Sequence, residues 1–383
     1  MTVRVVDLHA HPSLKTTLFG LRWDHRHRPG PAFNPLSLRC DLPKLVAGGV
    51  DVLCSAVYVP ERGLLPDCLP LRIGLLGFPH IRHLVDGDPF RGAMQTIDDF
   101  EGIVAATPAV DGVGATVVRS PAELAAAVAA GRLAIVHTLE GAHHLAGDPA
   151  NVARFHARGV AMLTLAHFYP NDVAPPVDGI PPAQKHLGCF RAPKDLTATL
   201  GPLGHDVVEE MLRLGMLVDL THCTPPARAA VLEQVGTRRP LVMSHVGAGS
   251  INPDPMNPTT DEVRRIADSG GVIGVIAMDY WLGGSDGNDG NDGNDGNDGN
   301  DGRKESGGGI ALMVRTIRAL ADQGGIDVVA LGTDFDGFTD PPDDLQDPSD
   351  LPRLSEALLA DGFAEGEVEK ILGGNALRVL LGR

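Results

Sequence analysis

The chain has 383 residues, 43% of them apolar and only 4% aromatic, so its core must be built from Ala, Val, Leu and Ile. A formal charge of −17 excludes a basic surface for nucleic acid or anionic lipid, and no stretch reaches the ~18 uninterrupted apolar residues of a membrane helix. Five cysteines, odd in number and without a C-x-x-C pair, read as reduced thiols in a cytosol rather than a disulfide framework.

The first element begins at once. "VRVVDL" (3–8) reads as a strand with no basic and apolar leader before it, so a soluble, cytoplasmic protein without signal peptide is expected. It runs into "HAHP", where His9 and His11, two residues apart, share a face in extended backbone. A long loop over 12–40 follows; its "RWDHRHRPG" places Trp23, His25 and His27 where they could overhang a pocket, with Trp23 as a wall. The second apolar run is "VDVLCSAVYV" (50–59), followed by another long loop over 60–88. "SPAELAAAVAAG" (120–131) reads as a helix, with Ser120 as cap and Pro121 in its first turn.

The third run, "LAIVHTL" (133–139), delivers Glu140 in "EGAHH"; His137 is read as a core residue, His143 as a structural neighbour of the site and His144 as loop filler. After a helix over 148–159 comes "AMLTLA" (161–166), which delivers His167; Asn171 and Asp172 in "FYPND" either line a substrate site or make a turn. A long loop (168–202) and a helix (203–215) precede "MLVDLT" (216–221), which ends at His222, with Cys223 read as a buried thiol. A helix over 224–236 leads to "PLVMS" (240–244) and His245, and a further helix over 259–271 leads to "GVIGVIAM" (271–278). These helical stretches end in Gly, as helices commonly do.

An Asp-Gly and five Asn-Asp-Gly triplets then occupy 286–302, within an insertion (284–308) expected to be a disordered, solvated loop. They lack the apolar position of the nonapeptide calcium repeat and the closing Glu of a calcium loop. The eighth run, "DVVALGT" (327–333), delivers Asp334 and Asp336.

Eight apolar strands alternating with amphipathic helices predict a single-domain (β/α)8 TIM barrel over 1–383 with long βα loops. The imidazoles and carboxylates all follow strand C-terminal ends, the face where such barrels carry their chemistry. Histidines with a carboxylate suit zinc or a similar cation. A carboxylate can bridge two ions, which share and acidify a hydroxide while a nearby Asp moves the proton. That is the chemistry of amide or ester hydrolysis.

The blocks "EGAHHL", "MLTLAHFYPND", "LGMLVDLTHC", "VMSHVGAG" and "LGTDFDG…EGEVEKILGGNALRVL" resemble the metal-dependent dipeptidases of the renal (membrane) dipeptidase type, peptidase family M19 of the amidohydrolase superfamily. The resemblance covers nearly the whole chain. It implies two zinc ions per chain, with Glu140 bridging, His9 and His11 on the first ion and His222 and His245 on the second. It implies His167 steadying the substrate carbonyl oxygen, Asp334 as acid/base, Asn171 and Asp172 near the substrate, and Asp336 holding the rim loop. The expected substrate is a dipeptide or dipeptide-like small molecule, the expected assembly a homodimer with no interface specified.

Two departures stand out. The family shows His-x-Asp after the first strand, where this chain has His9-Ala10-His11; one carboxylate fewer predicts a more acidic nucleophilic water and an altered metal preference. The family also carries an arginine eleven residues after the second-ion histidine, to bind a dipeptide carboxylate, where this chain has Met256. Arg191, Lys185 or Lys194 in the fourth loop could take over. Otherwise the substrate is a non-peptidic amide, lactone or ester. A catalytically silent binding barrel is the remaining alternative.

Overall fold

The computed structural model describes residues 4–382 except 29, 31–33, 35, 75–83, 85–86, 182–184, 186–188 and 284–307. The Asn-Asp-Gly insertion expected over 284–308 thus lies, but for Gly308, outside the described residues. The strands are β1 (Val5–Ala10), β2 (Val50–Val57), β3 (Ala115–Val118), β4 (Leu133–Glu140), β5 (Met162–Thr164), β6 (Leu217–Asp219), β7 (Leu241–Val246), β8 (Val272–Val275) and β9 (Val329–Leu331).

All pair in parallel, in the order β2-β1-β9-β8-β7-β6-β5-β4, and a direct β2–β4 pairing closes the ring into an eight-stranded barrel. The predicted (β/α)8 architecture is therefore observed. Each of the eight predicted runs overlaps one barrel strand. β3 is an addition: it pairs Ala115–Val118 with Leu133–Val136 on the lower half of β4, while the upper half of β4 pairs with β5. Four residues flanked by Gly and Arg carry too little apolar periodicity to stand out in the sequence.

Alternation along the strands separates two layers. Val6, Leu8, Val52, Cys54, Ala134, Val136, Met162, Val242, Val272 and Ala330 come from strands all round the ring and form one cluster, the barrel interior. Val379 and Leu380 of the C-terminal helix Asn375–Leu380 join it at the N-terminal end of the strands. The intervening residues, such as Leu53, Ile135, Leu163 and Ile273, pack outward against helices carrying Phe100, Val207, Val231 and Ile317.

The helices begin and end as their sequences specify. Ser120 accepts from the Glu123 N–H, Thr224 from that of Ala227, and Thr259 with Glu262 forms a reciprocal capping box. Helix Gly204–Leu214 ends at Gly215 in the left-handed region. A long helix over Pro89–Ala106 is capped by Asp88, whose side chain accepts from the Phe90 N–H.

Three expectations need correction. Cys68 and Cys189 form a disulfide, so the five cysteines are not all reduced thiols; Cys40, Cys54 and Cys223 are free and buried. Disulfides persist in oxidising surroundings, and the cytosolic placement loses that support. Trp23 is no pocket wall: it is 1% exposed, donates its indole N–H to the Cys40 carbonyl at 2.7 Å and packs edge-on to Phe100. His144 is no loop filler either. It is fully buried, with Nε2 accepting from the Val59 N–H at 3.0 Å and Nδ1 donating to the Gly141 carbonyl at 2.7 Å. With His143, whose Nε2 donates to the Val59 carbonyl at 2.7 Å, it pins the turn after β4 to the chain after β2.

Candidate metal centre

Two irregular strands aim the histidines. In β1 the register moves from Asp7 opposite Leu53 to Ala10 opposite Ser55, three residues against two. In β7 it moves from Met243 opposite Ile273 to Val246 opposite Val275 in the same way. Such bulges re-aim side chains, and here they let His9 and His245 reach the barrel axis although Leu8 and Val242 also face inward. The N–H groups freed from the ladder are taken by carboxylates. Asp7 Oδ1 accepts from the His9 N–H at 3.1 Å and the Thr333 N–H at 3.0 Å; Asp219 Oδ1 accepts from the Ser244 N–H at 3.0 Å.

Glu140, the last residue of β4, lies at the centre. Its Oε1 is 3.0 Å from His9 Nε2 and 3.5 Å from both His222 Nε2 and His245 Nε2. Its Oε2 is 3.3 Å from His11 Nε2 and 3.2 Å from His167 Nε2. Asp334 Oδ1 stands 3.3 Å from His11 Nε2 and 3.8 Å from His9 Nε2. Within the pairs, His9 and His11 bring their Nε2 atoms to 3.1 Å, and His222 and His245 theirs to 3.0 Å. His9, His11 and Glu140 thus form one potential ligand triad, and Glu140, His222 and His245 a second, all buried.

His222 and Asp334 hold left-handed backbone, φ 65° and 57°, an uncommon conformation for such residues and one that recurs at functional sites. No Cβ fits at their glycine neighbours. One on Gly179 would lie 2.8 Å from His222 Nδ1, and one on Gly337 would lie 2.2 Å from Asp334 Oδ1.

The donor set fits a divalent cation pair. Paired imidazole nitrogens near 3 Å, facing a shared carboxylate, present converging donor atoms of the kind that ligate a divalent cation. His11 Nδ1, His222 Nδ1 and Asp334 Oδ1 are buried without a hydrogen-bond partner. Burial, reinforced by neighbouring imidazoles, pushes His245 well below the ordinary histidine range, and burial also lowers His222. Both are thereby kept in the neutral form that ligates metals. Burial acts the same way on His9, yet the Glu140 carboxylate prevails and raises it to about 9. A carboxylate strong enough to hold a proton on a buried imidazole also attracts the cation that competes for that lone pair.

The outer ring of contacts fixes tautomers. Ser244 Oγ donates to Asp219 Oδ2 at 2.6 Å, so at 2.8 Å it accepts from His245 Nδ1–H and leaves Nε2 free to ligate. His167 Nδ1 is 3.1 Å from Glu61 Oε1, and Glu61 also accepts from the Phe168 N–H at 2.9 Å and the Tyr58 hydroxyl at 2.5 Å. Burial opposes ionisation of Glu61, but His167 outweighs it and holds the carboxyl far below its usual range. Asp336 holds the rim as expected, accepting from Lys15 Nζ at 2.8 Å and from the Arg39 and Cys40 N–H groups at 2.9 and 2.7 Å.

Sequence reasoning missed Glu61, Asp219, Ser244 and Asp7. The two aspartates do carry a signal: each sits two or three residues before a ligand histidine, in "DLH" and "DLTH".

Asn171 and Asp172 are not among the residues lining the cleft at the histidines. Asn171 accepts from the Val173 and Ala174 N–H groups at 2.8 and 3.0 Å, which makes it a turn residue. Both line a separate hollow of about 1160 Å³, mouth included, with Glu61, His143 and Tyr169. The cations offered as carboxylate partners are engaged in their own loop: Lys185 with Asp178, Lys194 with the Phe168 carbonyl, and Arg191 Nη2 3.5 Å from the Lys185 carbonyl.

Comparison with known proteins follows the same lines. The family model "Membrane dipeptidase (Peptidase family M19)" matches residues 2–382. An uncharacterized protein in the pqqA 5′ region of Klebsiella pneumoniae is 34% identical over 248 residues, 65% of this chain and 81% of that one. Dipeptidase ataJ of Aspergillus terreus is 28% identical over 296 residues, 76% of this chain and 66% of that one. The aligned region spans only 51% of the length of another relative, dipeptidase tcpJ of Claviceps purpurea, at 29% identity and 65% of this chain. Among solved structures, a metallo peptidase from Rhodobacter sphaeroides liganded with a phosphinate mimic of L-Ala-D-Ala superimposes with TM-score 0.74 at 22% identity, covering 100% of this chain and 99% of that one.

Proposed function

The chain belongs to the membrane dipeptidase family, peptidase family M19, and from that premise we propose that it is a hydrolase, dependent on two zinc ions, that cleaves the amide bond of dipeptides or dipeptide-like compounds. The observation that carries this reading is Glu140, whose two carboxylate oxygens are shared among His9, His11, His222 and His245 inside a buried cluster. His9 and His11 would hold one ion, His222 and His245 the other, with Glu140 between them. When bound, the ion pair supplies an activated water and polarises the scissile carbonyl.

The remaining work falls to the chain. Asp334 Oδ1, buried and without a hydrogen-bond partner at the edge of the cluster, takes the proton from the attacking water and passes it to the leaving amine. His167, braced at Nδ1 by Glu61, presents Nε2 to the carbonyl oxygen as charge develops there. The buried Phe168 and Trp281 help to exclude bulk water from the cleft.

Metal analysis of purified protein, paired with a panel of L,L, L,D and N-acylated substrates, tests this. The expected result is two zinc ions per chain and amide hydrolysis that chelation abolishes. Fewer than two ions per chain would overturn the two-ion reading, and a fully loaded protein inert on every amide would overturn the activity.

A further inference from the structure

The cleft that opens from the histidine cluster, about 330 Å³ with its mouth, has an unusual wall. Beyond the histidines, Glu140 and Asp334 it is lined by Phe168, Met256, Ile276, Met278, Trp281 and Phe338, with Gly179 and the Thr339 side chain completing the lining. Five of these are nearly fully buried, Met256 and Ile276 at 1% exposure and Phe168, Met278 and Trp281 at 3%. Among the described residues, no Lys or Arg lines it.

Among the described residues, Arg228 and Lys194 near the wall are already engaged. Arg228 is buried nearby, but its Nε and Nη2 are spent on Glu262 at 2.6 and 3.2 Å. Its Nη1 goes to the Cys223 and Pro255 carbonyls at 3.0 and 2.7 Å. Lys194 stands over the Tyr169 ring, 4.7 Å from its centroid, with its Nζ on the Phe168 carbonyl. The charged protein groups facing the cleft are carboxylates, Glu140 and Asp334, together with the histidines. A substrate carboxylate pressed against two methionines and a tryptophan would lose its water without gaining a partner, which a binding site cannot offset. An uncharged apolar group loses nothing there, and burying it is favourable.

We propose that the substrate is an amide whose leaving half bears no free carboxylate, such as a carboxyl-blocked dipeptide, and that its uncharged apolar group fills the Met256–Met278–Trp281 wall. The proposal rests on the amide-hydrolase reading above and narrows its substrate class. The reaction balances with water alone: the C–N bond breaks, the water oxygen joins the acyl carbon, and the proton taken by Asp334 goes to the leaving nitrogen.

The test compares Ala-Leu with Ala-Leu-amide, each in L,L and L,D form, on the zinc-loaded wild type and on Met256→Arg. The wild type should hydrolyse the Ala–Leu bond of the amide at least about tenfold better in kcat/KM than that of the free dipeptide. Met256→Arg, which puts a guanidinium into the wall, should raise kcat/KM for the free dipeptide by about tenfold or more and narrow or reverse the ratio. A wild type that prefers the free dipeptide overturns the proposal and leaves amide hydrolysis standing. A ratio unmoved in a folded Met256→Arg also overturns it, and if that variant fails to fold, the wild-type ratio decides. Zinc-loaded protein that cleaves neither member overturns the proposal, and the hydrolase reading falls with it only when the N-acylated substrates are inert as well.

Discussion

At the scale of single residues, the centre depends on contacts that hold ligands rather than on the ligands alone. Ser244 fixes the His245 tautomer by donating its own hydrogen bond to Asp219 and accepting from His245 Nδ1–H. Ser244→Ala should therefore weaken metal binding by about 10–100-fold, as loss of such outer contacts does elsewhere, while the fold survives. Zinc titration against a competing chelator, with circular dichroism as control, would show it. Gly179 makes a comparable prediction by shape. A Cβ there would lie 2.8 Å from His222 Nδ1 and 3.1 Å from a Phe168 ring carbon, so Gly179→Ala must displace the ring. Zinc content and activity should fall together, by about tenfold or more in activity, whereas retained full zinc occupancy would show that the loop yields instead.

Much at this scale was legible in sequence because polar residues at strand ends are conspicuous against apolar runs: Glu140, His167, His222, His245 and Asp334 all stand out that way. The residues that steady them were not. Glu61 lies in a loop with no periodicity, and Ser244 reads as an ordinary strand serine until the β7 bulge turns it toward Asp219. Asn171 was ambiguous for a physical reason, since Asn before Pro-rich chain suits a turn and a binding site equally, and its two accepted N–H bonds place it in the turn.

At the scale of elements, the barrel strands and the helices over 120–131, 148–159, 203–215, 224–236 and 259–271 were readable from period and capping, while Pro12–Phe19, Pro89–Ala106 and Ile310–Gly324 were not picked out and β3 was hidden by its shortness. Beyond its ladder with β4, ion pairs anchor it. Arg119, just after β3, reaches Glu101 Oε2 of the helix Pro89–Ala106 at 2.7 Å; Arg158 approaches the same oxygen at 3.3 Å, and His137 of β4 lies 3.5 Å from Oε1. His137 first, with Arg119, holds the Glu101 carboxyl at about 2, below the ordinary 4.5. Because the folded-state value is depressed, the stabilisation is present above pH 4.5 and is lost as pH falls through about 2. Glu101→Gln should cost roughly 1 kcal/mol near neutrality, after allowance for its partial exposure. The difference from wild type should shrink as urea melts are taken down toward pH 2. A pH-independent difference would mean the contribution is packing rather than charge.

The disulfide acts between elements. Cys68 and Cys189 close a loop of 121 residues in sequence separation and join the loop after β2 to the loop after β5. Cys68→Ser should destabilise the protein by about 2–4 kcal/mol, seen as a lowered urea midpoint, without loss of the barrel's circular dichroism. Pairing of this kind could not be read from five unmatched cysteines, since it depends on which two loops the barrel brings together.

For the whole molecule, the closed barrel explains why residues as distant in sequence as His9 and Asp334 meet: β1 and β9 are neighbours only because the ring closes. The Asp334 N–H donates to the His9 carbonyl at 2.8 Å, and the Ala10 backbone pairs with Phe335 beyond it. Metal binding should couple to that closure. Ligands drawn from β1, β4 and β7 and from the loop after β6 would be cross-linked by the proposed ions, so chelation should lower Tm as well as activity. A Tm unchanged between loaded and stripped protein would place the metals outside the ring.

The central claim is that two metals sit on either side of Glu140. Anomalous scattering at the zinc edge from crystals of the loaded protein tests it most directly. Two peaks about 3.5–4 Å apart are predicted, one beside His9 and His11, the other beside His222 and His245, with a Glu140 oxygen on each. One peak, or two that Glu140 does not join, would contradict the account.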